Sequence, residues 1–543
     1  MEWAVLTGPS ARLPVVFCPR LKSLEQICFL LYSEEFEASV TTVNETATFR
    51  AHESDVSALQ NILSHIARIG FSEPQACQRL GLANLTDLLW RAVPIYRAEK
   101  LAVRDPQASV IDLFLLQGII PRDELNRLFD PASQTVLVRS GLLLIDEQGR
   151  ACARASLYPV GNRLIFSDHA WPTLPHPGFV NVPASQVMFI GTDSRWLARA
   201  TVRRPVGSTL DLCTGSGIHA LLAAAHSRRV LAVDINPRAV QCARFNALVS
   251  GATNVEVATG NLYEPARGEL FDLITANPPF VPSPRNSLQY RDGGHSGEEV
   301  QRHIISGLPK HLAPGGMAQI VTEFGERGNE PLADRLREWL DGAPLDIYTL
   351  RLREHSAEAY AIGHADGIAS YENFLNSVHD WAENLRTQGY MRIVSVLLAF
   401  QWSDPKLGAP WERTEKSQPP ANDAGHEVAA AFDAERLARK PNFLQELELG
   451  RVRRAGPVAL LEARVLGREI HAHSQAELLG NSLPILYSLA PEERVILALI
   501  EKPLAVTELL ALTQGVNLDR KAVLNSLGLL VRRGLVQMIP AHS

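Results

Sequence analysis

Cysteine is sparse in this 543-residue chain: six are scattered (Cys18, Cys28, Cys77, Cys152, Cys213, Cys242), and no C-x-x-C pair occurs. That argues against a disulfide framework or a thiolate zinc site and suits a reducing cytoplasm. His471-Ala-His473 has ligand-like spacing, but no third ligand is evident, so no metal is expected. There is no secretory n-region and h-region, and no apolar run can span a bilayer, since Ile393–Phe400 is only strand-sized. No excess of positive charge exists either, with 53 Lys and Arg against 59 Asp and Glu, a net charge of −6. This weighs against non-specific nucleic-acid binding but leaves room for a local basic face. Neither G-x-G-x-x-G nor a glycine loop followed by Gly-Lys-Ser/Thr is present, which argues against a dinucleotide site and a P-loop. No short-period repeat is visible.

What is present is enough chain for roughly three or four domains. Residues 1–180 read as a mostly helical N-terminal domain. Its first 56 residues are hard to interpret, with a possible strand at Val15–Phe17 and a possible helix at Leu24–Tyr32. About 108–166 shows short helices, one opening at Pro121 and one stopping at Gly141. Two apolar strands then flank Asp146-Glu-Gln-Gly149, a winged-helix-like pattern. Residues 404–430 are rich in Pro, Asp, Lys and Gly and read as a linker. Residues 431–543 form a C-terminal domain, with a second winged-helix-like part at about 485–540 that ends in Arg533-Gly-Leu-Val.

Between these flanks, residues 181–403 alternate strand and helix. Strands at Thr209–Cys213, Val230–Asp234, Val255–Ala258, Phe271–Ala276 and Met317–Thr322 are separated by helical stretches, with further strands at Leu345–Leu352 and Ile393–Gln401. This alternation implies an α/β domain, a doubly wound and mostly parallel sheet with helices on both faces. In such a sheet, ligands sit beyond the carboxyl ends of the strands.

Two signals fall there. Asp211-Leu-Cys-Thr-Gly-Ser-Gly217 is a glycine turn between a strand and the apolar helix from Ile218. Gly215 and Gly217 let the backbone approach a ligand, and the helix start can face it. Asp234, in Val233-Asp-Ile-Asn236, ends the next strand and can accept from two ribose hydroxyls, whereas Asp211 can hold the turn or an ammonium. Asn261-Leu262 follows the third strand and would lie by an adenine. The second signal is Asn277-Pro-Pro-Phe280, after the fourth strand. Taken singly, each is equally well a structural turn; the order and spacing of the set raise it above that.

Together with Leu262-Tyr-Glu-Pro265, Tyr290-Arg-Asp-Gly-Gly294 and Pro314-Gly-Gly316, these segments resemble the class I S-adenosylmethionine (AdoMet)-dependent methyltransferases. The resemblance is to the branch of release-factor glutamine N5-methyltransferases and rRNA guanine-N2 methyltransferases, and it covers about 200–400. It implies a seven-stranded Rossmann-like methyltransferase sheet with AdoMet as cofactor. The implied cofactor contacts are Asp211, Cys213, Thr214, Gly215, Gly217, Asp234, Ile235, Asn236, Asn261, Leu262 and Asn277. The implied reacting site is Asn277, Pro278, Pro279 and Phe280, with Tyr290, Arg291 and Asp292 beside the substrate. Two positions depart from the branch: Asn261 stands where an acidic residue is common, and Cys213 where the first glycine is usual. We read Cys213 as a small packed residue and not as a nucleophile.

The chemistry such a site needs is positioning. An amide or exocyclic amine nitrogen is a poor nucleophile until it is turned and polarised. The Asn277 side-chain oxygen and the Pro278 carbonyl can accept its N–H bonds. The two prolines stiffen the loop and contribute no competing N–H, and Phe280 offers a face to a flat group. The expected activity is N-methyl transfer to a protein or RNA, by a cytoplasmic protein with no membrane segment. The alternatives are a small-molecule or peptide N-methyltransferase and a non-catalytic regulatory protein on the same fold. Arg291 and Asp292 could clamp the substrate or simply sit in a solvated loop. Arg520, Lys521, Arg532 and Arg533 could face phosphates or form a solvated face on an interaction module.

Overall fold

The computed structural model describes residues 47–89, 92–169, 185–328, 330–365, 370–464, 472–515 and 518–539. The strand expected at Val15–Phe17, the helix expected at Leu24–Tyr32 and His471 lie outside them. Eight strands form the central sheet: β1 (Val206–Leu212), β2 (Ser227–Asp234), β3 (Val255–Thr259), β4 (Phe271–Ala276), β5 (Leu312–Glu326), β6 (Leu345–Ser356), β7 (Arg392–Trp402) and β8 (Glu412–Lys416). Their order is β3-β2-β1-β4-β5-β7-β6-β8. The first five run parallel, β7 is antiparallel to both β5 and β6, and β8 is parallel to β6. Strands β1 and β4 are buried over most of their length, as a sheet covered on both faces requires.

The helices that matter to the site are α1 (Thr192–Ala200), α2 (Ile218–Ala223), α3 (Pro237–Val249), α4 (Glu299–His311) and α5 (Leu332–Trp339). Two more, α6 (Ala357–His364) and α7 (Tyr371–Thr387), are inserted between β6 and β7, and α8 (Gly425–Ala438) follows β8. Helix α3 starts at Asn236, whose side-chain oxygen caps the Arg238 N–H, with proline next at a position where no N–H is needed.

The expected linker is the main correction to the organisation. Within 404–430 the chain forms the eighth strand and begins α8. Strand β8, Glu-Arg-Thr-Glu-Lys, has alternating partial burial and carries four charges in five residues, so it lacks the apolar pattern by which strands are read. Paired carboxylates make its position tenable. The Arg413 guanidinium packs over the Tyr348 ring and donates to the Arg532 carbonyl at 2.9 Å. Buried Glu435 accepts from Arg532 at 2.5 Å. These contacts join the C-terminal region to the sheet edge.

The N-terminal region shares its core with the sheet's helices. Phe114, Phe166 and Phe245 stack edge-on in sequence, and Ile218, Leu221, Cys242 and Phe245 belong to the same buried cluster as Leu113 and Phe114. The Asn246 carboxamide both donates to and accepts from the backbone of Phe166, in the hairpin Ser156–Val160/Arg163–Ser167. Helix α1 is held from this side as well. Glu73, in the helix Glu73–Leu80, forms an ion pair with buried Arg195 at 3.0 Å and accepts from Arg199 at 2.7 Å.

Removing Glu73 leaves the Arg195 charge buried without its counter-ion. Glu73→Ala is expected to cost about 3 kcal/mol, the lower end for breaking a buried pair because Arg195 keeps the Pro159 carbonyl. Denaturant unfolding followed by fluorescence checks this; a loss under 1 kcal/mol would show that the pair does not anchor α1.

Candidate active site

A cavity of about 510 Å³ opens at the carboxyl ends of β1, β2, β3 and β4. This is a small-molecule volume. Its floor is the turn after β1, where Cys213, Gly215 and Gly217 take positive φ of 55°, 54° and 85°. The left-handed backbone at 213 is one that glycine adopts most readily, in keeping with the glycine that the resemblance implies there. Burial and the nearby Asp234 and Asp211 carboxylates push the Cys213 thiol up, which makes it a poor nucleophile.

The two glycines do different jobs. A Cβ built on Gly215 meets nothing within 4 Å, and its N–H donates to Asp234 at 2.8 Å. A Cβ on Gly217 would lie 3.2 Å from the Ala243 Cβ, so that glycine serves the packing of the turn against α3. Helix α2, whose start was expected to face a ligand, spans only 6 residues.

Asp211 does not reach the cavity. It accepts from Thr214 Oγ1 at 2.6 Å, from the Ala220 N–H at 3.2 Å and from Thr275 Oγ1 at 2.7 Å. Thr275 lies directly across from it in register on β4. Burial pushes its carboxyl up to about 6. Of the two roles considered for Asp211, it holds the turn; three internal donors leave it no part with an ammonium.

Asp234, Ile235 and Asn236 line the next stretch. Asp234 accepts backbone N–H groups on both oxygens, from Gly215 at 2.8 Å and from Asn236 at 2.9 Å, and lines the cavity. The Asn236 side chain is spent internally, on Arg238 and on the Ser185 carbonyl at 3.0 Å. Asn261 and Leu262 line the cavity after β3, and Glu264 accepts from the Asn261 N–H.

Asn277 and Pro279 line the wall after β4. The Asn277 Nδ2 donates to Asp193 and to Ser194 Oγ, both at 3.0 Å. An ionised carboxylate can only accept, so Asp193 fixes which end of the carboxamide is NH₂. The Asn277 Oδ1 is consequently buried with no partner. Burial raises the Asp193 carboxyl, while the Asn277 bond opposes that shift.

Three expectations for the acceptor side change. Phe280 is half-buried and packs against the cluster of Val281, Tyr360 and Trp381, and it does not line the cavity. Its backbone N–H and that of Val281 both donate to the Arg291 carbonyl, which turns this segment toward α6 and α7. Arg291 pairs with Asp292 at 2.8 Å and lies over the Trp381 ring. Asp292 also accepts from the Ser287 and Leu288 N–H groups, so both charges hold the loop and neither is free as a clamp. Tyr290 is the aromatic residue of the loop that lines the cavity. The glycines explain how the loop sits so close. A Cβ on Gly293 would lie 2.8 Å from the Pro279 carbonyl, and one on Gly297 would lie 2.4 Å from that of Phe280. His295 and His303 are exposed.

The residues missed from sequence are those before the glycine turn. Gln186 to Ile190 line the cavity, as does Ser194. Asp193-Ser194 lies 83 to 84 residues from Asn277, with no local pattern to link them. His219 is buried in the wall with both ring nitrogens unpartnered. It stands two residues beyond Gly217, just past the motif, and was legible there only as part of an apolar helix.

Among the described residues lining the cavity there is no lysine or arginine, whereas Asp234 is there and Asp292 is already paired with Arg291. Nothing there balances a pyrophosphate, whereas a cation is favoured. The clear space at Gly215 and the Asp234 carboxylate fit a cationic nucleoside such as AdoMet.

Residues 190–339 match the family described as methyltransferase small domain. A ribosomal protein uL3 glutamine methyltransferase of Bradyrhizobium diazoefficiens is 37% identical over 153 residues, 25% of this chain and 47% of that protein. A release factor glutamine methyltransferase of Geobacter sulfurreducens is 31% identical over 166 residues, 27% of this chain and 56% of that protein. The chain thus spans about half the length of the curated relatives it matches. Among solved structures, a ribosomal protein L11 methylase of Lactobacillus delbrueckii subsp. bulgaricus aligns at 19% identity over 39% of this chain and 78% of that one, with a TM-score of 0.24. Residues 190–339 thus carry a methyltransferase domain, in line with the resemblance to the class I AdoMet-dependent methyltransferases.

Proposed function

We propose that this chain is an AdoMet-dependent N-methyltransferase whose acceptor is a carboxamide nitrogen of a protein, of the glutamine side-chain type. The observation that carries this reading is the Asn277 carboxamide: its NH₂ is held by Asp193 and Ser194, and its oxygen is buried and unpartnered. A buried acceptor left empty costs about 1–3 kcal/mol. An N–H donor arriving from the cavity removes that cost. A carboxamide nitrogen has two N–H groups, which Asn277 Oδ1 and the Pro278 carbonyl can accept together. Held so, its lone pair points out of the plane of those bonds, and charge growing on nitrogen meets two oxygens already in place. When bound, AdoMet supplies a methyl group on a sulfonium centre. The acceptor lone pair forms the N–C bond as the C–S bond breaks, sulfur keeps the electron pair, and the proton leaves nitrogen afterwards to water. No strong base is needed.

Asp234 would hold the ribose, Ile235, Asn261 and Leu262 the adenine, and Tyr290 would supply the flat face first sought at Phe280. Two observations favour a protein acceptor over an RNA base. The relatives are named for glutamine in a ribosomal protein and in release factors. The cavity offers no cation to a phosphodiester. We read the helices and short strands within about 108–166 and about 485–540 as winged-helix-like modules that serve as scaffold. In the second, Arg520, Arg532 and Arg533 each pair internally, with Glu448, Glu435 and Glu493, which leaves little of that helix for phosphates. Among the described residues no helix is long and apolar enough to cross a membrane. The free thiols Cys77, Cys152, Cys213 and Cys242 suit a cytoplasmic setting.

Incubation with methyl-labelled AdoMet and separated protein, RNA and metabolite fractions tests the reading. Label should enter the protein fraction and be released as methylamine on acid hydrolysis; label in RNA alone would overturn the acceptor assignment. Asn277→Ala should leave cofactor affinity within about twofold and lower turnover by roughly 10²–10³, the loss typical of one transition-state hydrogen bond. Asp193→Asn lets the Asn277 carboxamide turn over and should lower kcat by about 10- to 100-fold at unchanged KM for AdoMet. Gly215→Leu fills the clear space and should abolish cofactor binding by calorimetry, and retained binding would remove Gly215 from the cradle.

A further inference from the structure

The unused group in the cavity wall is His219. Its side chain is 4% exposed, and neither ring nitrogen has a partner. Burial lowers its pKa to about 3, so the ring is neutral at working pH, with one N–H to donate. A buried imidazole with two empty nitrogens is costly unless something that enters the cavity completes it.

What enters follows from the order of the strands. Along the carboxyl edge of the sheet, Asn261 follows β3, Asp234 ends β2, Gly215 follows β1 and Asn277 follows β4. Under the proposed function, on which this inference rests, adenine, ribose and sulfonium are laid out in that order. The amino-acid tail on sulfur would then leave toward the side of the cavity at the starts of α1 and α2, where Ser194, Ser216, Ile218 and His219 are among the lining residues. The tail carries an ammonium and a carboxylate. Asp234 gives the cavity a field that suits the ammonium, but among the described residues no lysine or arginine lines it to meet the carboxylate. The side-chain donors on that wall are two serine hydroxyls and one imidazole N–H.

We infer that His219 is a cofactor-binding residue that recognises the carboxylate of the AdoMet amino-acid tail through a neutral ring N–H in place of a cation. His219 thereby selects ligands that bear the complete amino acid.

Isothermal titration of the full chain with S-adenosylhomocysteine and with its decarboxylated counterpart, which lacks only the carboxylate, tests this. His219→Phe, which fills the space without a donor, should weaken S-adenosylhomocysteine by about 10- to 100-fold, the worth of one hydrogen bond to a charged group. It should leave the decarboxylated ligand within twofold, and that binding also reports a folded site. His219→Gln, which keeps an N–H donor, should recover most of the loss. Equal weakening of both ligands in both variants would mean a packing role and overturn the inference, as would no weakening of either. Failure of the unaltered protein to bind either ligand would overturn the cofactor reading itself, and His219 with it.

Discussion

Which way one carboxamide faces decides what this site can do. The Asn277 side chain could present either NH₂ or oxygen to the cavity, and only oxygen accepts from an acceptor nitrogen. Asp193 settles the choice because a carboxylate cannot donate. Asp193 in turn sits in the first turn of α1, and α1 is held by Arg195 and Arg199 on Glu73 of the N-terminal region. The orientation of the Asn277 carboxamide is therefore tied by a short chain of contacts to the N-terminal region of the protein.

The backbone of the same segment is fixed from the other side. The glycine loop at 293–297 approaches the Pro279 and Phe280 carbonyls at distances a Cβ would forbid. Arg291 and Asp292, the polar residues of that loop, spend their charge on each other and on the loop's own N–H groups. Rigidity here suits a reaction that depends on alignment. The side chains that look most reactive in sequence hold the frame, and the Asn277 Oδ1 is an acceptor the frame leaves free.

The parallel half of the sheet was legible because its strands are apolar or alternating runs, and because α3 opens at Pro237 behind its capping Asn236. The turn at 213–217, Asp234 and Asn277 were legible because each follows its strand directly, so sequence spacing becomes spatial order along the sheet edge. What escaped did so for physical reasons. Strand β8 is charged, and its place at the edge depends on Arg413, Glu435 and Arg532 meeting across 119 residues of chain. Asp193 and Ser194 act at long range, where spacing carries no signal. Phe280 matched a motif whose aromatic role depends on the loop packed behind it, and here α6 and α7 draw that ring away. Asp211 matched a cofactor contact by position, whereas Thr214 and Thr275 show it to be a fastening between β1 and β4.

The central claim is a statement about one rotamer. A crystal structure with S-adenosylhomocysteine and a glutamine-bearing peptide at better than about 1.5 Å would read it directly from the hydrogen-bond network, as amide orientation must be. The account predicts the Asn277 Nδ2 on Asp193 and the Oδ1 about 3 Å from the peptide carboxamide nitrogen, on the side that faces sulfur. An Asn277 amide turned the other way, or a peptide nitrogen held by other groups, would contradict it.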